Sequence, residues 1–496
     1  MQNSPLDDIE RAMDTARSPA DWRAAAAAHD ALSGAAEWRR RPGATLYDSK
    51  AIAAAPADYA EMMRAGAAGA LAERLEADLQ RHLGDLADPS LYAVAKLGAP
   101  LAVEAFYGAV EAALPWLATH PPRGLGPGEA LRALESHARL FGRTALLLSG
   151  GATWGFHHLG VVKALFEAAL LPEILSGAST GAMIAAGVCT RNDQELQAMF
   201  NDMREVRRDG LRPAGLRAAR AARALLDPAQ LYAVLQNNVG PATFDEAFAH
   251  SGRALNISVS PVRHSHKPRL LTHLTTPHVL VASAALASSA LPMFFPPVEL
   301  RQRRPGEAEG ACWPGELWVD GSLQDDLPKQ RLGRLHNVNH FIVSQTNPHV
   351  LPFAQDLPGA SLRTRTARAV IGAARGQGAI AAELARRVGG DLPGPLGRLS
   401  HRAHALMSQD YGGDIALYPP MRVGMLPKLM SNPTEAELAA YVLDGERTVW
   451  PQLARIRDQT RVGRAFDRAL AAAHAARAGG TTAPGGVAGG WPPAPN

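Results

Sequence analysis

The sequence predicts an α/β fold with a largely parallel central sheet, preceded by an α-helical N-terminal domain. Three observations predict it. Residues 144–188 alternate short apolar runs, glycine-bearing turns and helical patterns, which is the order of a parallel βαβ unit. Further short apolar runs of strand length recur between 255 and 344. The first 140 residues, by contrast, are Ala-rich and carry their apolar residues at helical spacing.

Taken in order, Asp58 to Gln80 places Tyr59, Met62, Met63, Ala67 and Ala70 on one helical stripe, with a gap at Gly66. Leu91 to Leu117 is longer and more apolar, is interrupted near Pro100, and has Lys96, Glu104 and Glu111 as its only charges. Leu131, Leu134, Ala138 and Phe141 repeat the helical pattern. This region reads as a bundle packed on the next domain, or alternatively as a surface that docks on a lipid monolayer.

Thr144 to Leu148 is the first strand, and Ser149-Gly150-Gly151-Ala152 follows at once. Leu159, Val162, Leu165, Phe166 and Ala169 then mark a helix with one buried face. Ile174-Leu175 begins a second strand that ends in Gly177-Ala178-Ser179-Thr180-Gly181, before a helix over Ala182 to Val188. Leu255–Val259, Arg269–Thr272, Leu317–Val319 and His340–Ser344 are the remaining strand candidates. Between them, Ala285 to Leu300 is a small-residue helix broken at Pro292 and at Pro296-Pro297. Met293, Phe294 and Phe295 at that break fit either an acyl pocket or ordinary core packing.

The expected domains are a helical one over 1–140, an α/β one over 141–350, and a helical extension over 351–478 packing on the core. A Gly/Pro/Thr tail over 479–496 cannot build a core. Arg is concentrated at 204–223 and again at 363–375, as a solvated face or as attraction for anionic lipid headgroups.

Both glycine-bearing turns open at the carboxyl ends of neighbouring strands, where α/β sheets bind ligands. The second fits the nucleophile elbow G-x-S-x-G. Gly177 and Gly181 let the chain turn sharply from strand to helix, so that the Ser179 hydroxyl stands free. Acyl transfer passes through an oxyanion, which needs amide N–H groups aimed from a preformed loop. Gly150, Gly151 and Ala152 at the mouth of a helix fit that need. A dinucleotide loop would need a different glycine spacing, which Ala152 breaks, and an acidic residue after the next strand.

A serine hydroxyl needs a base. Two arrangements are open: a Ser179–Asp320–His349 order, as in α/β-hydrolase triads, or a Ser179/Asp320 dyad with Asp320 turned onto the same sheet edge by Gly321. His157 and His158 are adjacent and diverge by about 100° on a helix, which suits a metal poorly. His264 and His266 share a strand face without an evident third ligand, so no metal is expected.

These residues resemble the patatin-like phospholipases. SGGATWG resembles their Gly-rich oxyanion motif, GASTG their elbow, VDGS their aspartate turn, and ASSALPMFFPPV their Pro-rich signature. FGRTALLLSGGATWGFHHLGVVKAL, NISVSPVRH, WVDGSLQDDLP and VNHFIVSQTNPHVLPF most resemble the branch with fungal and plant storage triacylglycerol lipases, as does LYDSKA in a helical domain of unknown function. The resemblance covers most of 15–430. It implies a three-layer patatin-like fold and a serine ester hydrolase acting on acylglycerols. Ser179 and Asp320 would form the dyad, with amides of Gly150, Gly151 and Ala152 as oxyanion donors. It leaves phospholipase A or lysophospholipase activity, or a weakened lipid-body scaffold, as alternatives. Two positions depart from the family pattern. Ala152 replaces a common third glycine, so its methyl crowds the turn if that position needs φ > 0. Ser322 replaces Gly or Ala. No His has Asp five residues on, which counts against an H-x-x-x-x-D acyltransferase.

Composition bounds the rest. A chain of 496 residues, 47% hydrophobic and 20% charged, is too long for one core and globular in character. A net charge of +4 and a pI near 9.2 come from dispersed Arg, which does not indicate nucleic acid. Cys189 and Cys312 are far apart and read as small buried residues in a reducing compartment. The polar, acidic N-terminus is no secretory signal, and Val279 to Phe295 is broken by serines and Pro. The expectation is a cytoplasmic protein without cofactor that meets its lipid substrate peripherally, at a membrane or lipid-body surface.

Overall fold

The computed structural model describes residues 4–41, 47–222, 224–263, 267–348, 350, 412–420 and 427–479. Two compact units emerge. One comprises Met1–Ala26 and Gly142–Ile456, the other Ala27–Phe141 and Arg457–Asn496.

The first unit is built on a mixed, mostly parallel sheet. Its strands are β1 (Arg143–Leu148), β2 (Ile174–Gly177), β3 (Ala254–Pro261), β4 (Arg269–Thr272), β5 (Val298–Glu299), β8 (Leu317–Asp320), β9 (Val338–Ser344) and β10 (Ile415–Leu417). They lie in the order β10-β9-β1-β2-β3-β8-β5, with β4 also paired to β3; β6 (Arg301–Gln302) and β7 (Gly310–Ala311) form a separate ribbon. β10, β9, β1, β2 and β3 run parallel, while β4 and β8 are antiparallel to β3. Leu146, Leu147 and Leu148 of β1 and all of β2 and β3 are buried, as expected for strands covered on both faces.

The βαβ reading holds. Helix His157–Glu167 follows β1, helix Thr180–Cys189 follows β2, and the paired strands are parallel with Leu148 opposite Gly177. Helix His157–Glu167 packs on helix Glu435–Val449 so closely that Gly160 and Gly445 meet backbone to backbone. The small-residue helix is shorter than the sequence pattern, Val281–Ser288, and every one of its residues is buried. Cys189 is buried as expected, but Cys312 is only partly buried.

The second unit is helical. The stripe over 58–80 divides into helices Ser49–Arg64 and Ala68–Leu86, with Gly66 at φ +65 where the chain turns between them. Helix Leu101–Thr119 starts just after Pro100 and has the length and apolar character of a membrane span. Val103, Phe106, Tyr107, Val110, Ala113 and Leu114 are nevertheless buried in the unit's core. Its two carboxylates are paired, Glu104 with Arg39 and Arg457, Glu111 with Arg461 and Arg468. Val462, Ala465, Phe466 and Ala469 of helix Leu453–Gly479 join the same core.

The units therefore differ from boundaries drawn along the sequence. The last helix contributes to the helical unit rather than forming an extension of the α/β core. Residues 1–26 group with the α/β unit, where the Arg447 guanidinium donates to the Thr15 and Ala16 carbonyls. Hydrophobic spacing identifies which face of a helix is buried, not which partner buries it. The Arg positions 363–375, the rest of 351–411 and the tail beyond 479 lie outside the described residues.

Candidate active site

Ser179 sits between β2 and helix Thr180–Cys189 with φ 54 and ψ −125, a conformation that costs a non-glycine residue roughly 1–3 kcal/mol. The surroundings enforce it. The Ser179 amide donates to the Ser288 hydroxyl (3.0 Å), and the Ala178 amide donates to the Leu148 carbonyl (3.2 Å). A methyl on Gly177 would overlap the Gly181 carbonyl, and one on Gly181 would overlap the carbonyls of Leu148 and Ser149. The two elbow glycines are thus required by close approach of backbone to backbone.

Asp320 ends β8. Because β8 is antiparallel, register rather than a shared strand direction brings it to Ser179. Asp320 pairs with Val259, two residues beyond Ile257, which pairs with Gly177 of β2. Ser179 stands near enough to the Asp320 carboxylate to draw its pKa down. Ser322 holds the carboxylate, through its amide (2.9 Å) and its hydroxyl (2.7 Å), both on Oδ1. Asp320 is buried, and burial pushes its carboxyl up to about 6, while Ser322 and Ser179 draw it down. A carboxylate held there titrates just below neutrality, a useful range for a general base.

The glycine-bearing turn after β1 is braced from several sides. The Thr346 amide donates to Ser149 Oγ (2.8 Å), and the hydroxyls of Ser149 (2.8 Å) and Thr346 (3.0 Å) both donate to the Gly150 carbonyl. The Thr180 hydroxyl donates to the Ala152 carbonyl (2.8 Å). Of the three expected oxyanion amides, that of Gly150 is already committed: it donates to Asp326 Oδ1 at 2.9 Å. Its place as a free donor is therefore corrected, leaving the amides of Gly151 and Ala152. Ala152 has φ +48, so this position does lie in the left-handed region, and its methyl is carried there at a cost of about 1 kcal/mol.

Asp326 is the site residue least legible in the sequence. Its second oxygen accepts from Asn347 Nδ2 at 2.7 Å, and it is fully buried, with burial pushing it up to about 7 and the Asp320 and Asp325 charges adding to the rise. Ser288, Thr346 and Asn347 carry equally little signal, and Ser322 shows only as a departure from the family pattern. The only available signals were the first serine of ASSALP, the acidic pair in QDDLP and the polar QTN after β9.

Both histidines beside the turn are buried and resist protonation. His158 Nε2 lies 3.0 Å from the Ser149 carbonyl, which can only accept, so Nε2 carries the hydrogen and Nδ1 accepts from the Ser344 hydroxyl (2.7 Å). Burial pushes His158 down to about 4 and His157 to about 3, so both are neutral. His349, His264 and His266 lie outside the described residues. Among the described residues no three His, Cys, Asp or Glu side chains cluster to hold a metal.

A mostly apolar pocket includes Ser179 and is also lined by Phe156, Leu159, Met183, Val188, Leu231 and Phe295, with Ala152 and Thr180 among its walls. Of the three residues at the Pro-rich break, Phe295 is buried and lines it, but Met293 does not: it is 75% exposed with φ +75.

Residues 146–330 match the family model described as patatin-like phospholipase, and residues 2–139 match a domain of unknown function, DUF3336. The chain is 30% identical to Triacylglycerol lipase 4 of Saccharomyces cerevisiae, covering 91% of this chain and 51% of that one. It is 33% identical to Triacylglycerol lipase SDP1L of Arabidopsis thaliana, covering 80% and 50%, and 28% identical to Triacylglycerol lipase ptl3 of Schizosaccharomyces pombe, covering 90% and 93%. The chain thus spans about half the length of the first two relatives and nearly all of the third.

Proposed function

The chain belongs to the patatin-like phospholipase family, and from that premise we propose that it hydrolyses acylglycerol esters, with Ser179 as nucleophile and Asp320 as its base. One observation carries this reading: a serine held in a strained elbow stands beside a buried carboxylate and lines a mostly apolar pocket. The names of the three relatives favour acylglycerols as the substrate class.

In this mechanism the Ser179 hydroxyl attacks the ester carbonyl and passes its proton to Asp320. The tetrahedral oxyanion lies against the Gly151 and Ala152 amides, which are fixed in advance by Thr346, Thr180 and Asp326. The C–O bond to the alcohol breaks, and the alcohol leaves with the proton held by Asp320. Water then adds to the acyl-enzyme, giving its proton to Asp320. Collapse of the second tetrahedral species releases the fatty acid, and the proton returns to Ser179. The acyl chain occupies the apolar pocket throughout.

The test is release of fatty acid from emulsified triacylglycerol by the purified chain, with Ser179→Ala reducing the rate by on the order of 10⁴ or more. Unchanged turnover in that variant removes the dyad. Matched assays on phosphatidylcholine separate an acylglycerol lipase from a phospholipase A.

A further inference from the structure

We propose that Leu216, Leu225 and Met293 form a face that docks the protein on a lipid surface carrying anionic headgroups, an inference that rests on Ser179 being a lipid esterase nucleophile. These three are among the most exposed large apolar side chains described, at 92%, 57% and 75%. They come from two segments of chain that the backbone ties together. The Leu225 amide donates to the Met293 carbonyl (3.1 Å), the Leu226 amide to the Phe294 carbonyl (2.8 Å), and the Ala214 amide to the Leu225 carbonyl (2.9 Å).

The same two segments make one side of the Ser179 pocket. Gly210 and Leu211 line it from the first, and Leu291 and Phe295 from the second. Between Leu291 and Phe295 the chain carries Met293 outward in the left-handed region, where a non-glycine residue is strained. Exposed apolar tips are thus continuous with the rim of the pocket that would receive the acyl chain. A lipid molecule leaving its own surface would enter there without crossing water.

Charge selects the kind of surface. Arg204, Arg207 and Arg212 are neutralised by Asp202, Asp209 and Asp227. Arg217 and Arg220 are exposed on the short helix Leu216–Ala222, have no acidic partner among the described residues, and that helix holds no acidic residue. Two guanidinium groups without an acidic partner among the described residues, next to apolar tips, match phosphate and carboxylate headgroups above acyl chains.

The experiment compares the full chain with two variants, Leu216→Asn/Leu225→Asn/Met293→Asn and Arg217→Ala/Arg220→Ala. Asn tolerates the left-handed conformation at 293. Flotation is measured with phosphatidylcholine vesicles with and without phosphatidylserine, alongside hydrolysis of emulsified triolein and of water-soluble p-nitrophenyl butyrate. The apolar variant is expected to lose about tenfold or more in vesicle binding and in triolein hydrolysis, and to keep its rate on the soluble ester. The arginine variant is expected to lose about fivefold per arginine on phosphatidylserine vesicles only. Wild-type binding by the apolar variant overturns the docking face and leaves the surface to a protein partner. Absence of soluble-ester hydrolysis in the unaltered chain would instead sink the catalytic reading, while flotation would still test the docking face.

Discussion

Replacing Asp326 tests whether the proposed oxyanion turn is set from outside itself. In Asp326→Ala the buried Gly150 amide and Asn347 Nδ2 both lose their acceptor, at about 1–3 kcal/mol each. In Asp326→Asn one oxygen remains for Gly150, but the new NH₂ meets the Asn347 NH₂ unless Asn347 flips. Because the turn carries the Gly151 and Ala152 amides, a shift well under 1 Å is enough to cost about tenfold in kcat for Asn, and about 100-fold for Ala. Stability follows a different course. The Asp326 carboxyl is raised in the folded protein by burial and by the Asp320 and Asp325 charges. The folded state therefore holds a proton that the unfolded state has released, and native stability falls as pH rises from the ordinary carboxylate range through about 7. The Asn variant lacks that loss, so its stability relative to the parent improves as pH is raised. Steady-state rates on a soluble ester and urea unfolding at acid and at neutral pH measure both effects. A folded Asp326→Ala protein with parental kcat would refute the bracing role, and a pH-independent stability difference would refute the buried charge.

The remaining predictions follow from the same geometry. Activity should rise with pH along a limb near about 6 as Asp320 loses its proton, and Ser322→Ala, which removes hydrogen bonding that favours the charged carboxylate, should move that limb to higher pH. Rate–pH profiles on a soluble ester decide it, and an unmoved limb would separate Ser322 from the base. Ala152→Gly relieves the left-handed strain by about 1 kcal/mol but adds unfolded-state freedom worth about as much. Its Tm should therefore stay within a few degrees with activity retained; a large fall in either would mean that the methyl has a positive role. Gly181→Ala drives a methyl into the Leu148 and Ser149 carbonyls, and should cost about 3 kcal/mol or more in denaturant unfolding. A near-neutral result would show that the elbow can relax.

What the sequence made legible was local. The βαβ unit depends on a few consecutive residues and its strands pair in parallel as expected, while Ala152, where the sequence raised a left-handed conformation only as a condition, has φ +48. Strand β8 was found, but not its antiparallel direction, which depends on what it pairs with rather than on its own residues. Asp326, Ser288 and Asn347 converge on the site from segments with no shared periodicity, so no pattern marks them beforehand. Met293, at the Pro-rich break, fitted either an acyl pocket or ordinary core packing. The tight turn instead faces it outward, and no hydrophobicity pattern records that reversal. The last helix was placed with the wrong neighbours for the same reason: an amphipathic stripe fits more than one partner.

The pairing of β3 with β8 has a consequence for biosynthesis. Ser179 and its elbow leave the ribosome long before Asp320, and β9, which abuts β1 under the oxyanion turn, emerges later still. A partly made chain exposes an unassisted alcohol beside an unbraced loop, so on the proposed mechanism it cannot attack the cell's own lipids. On that mechanism the site would be complete only when synthesis has passed residue 347 and the late strands have closed onto the early ones.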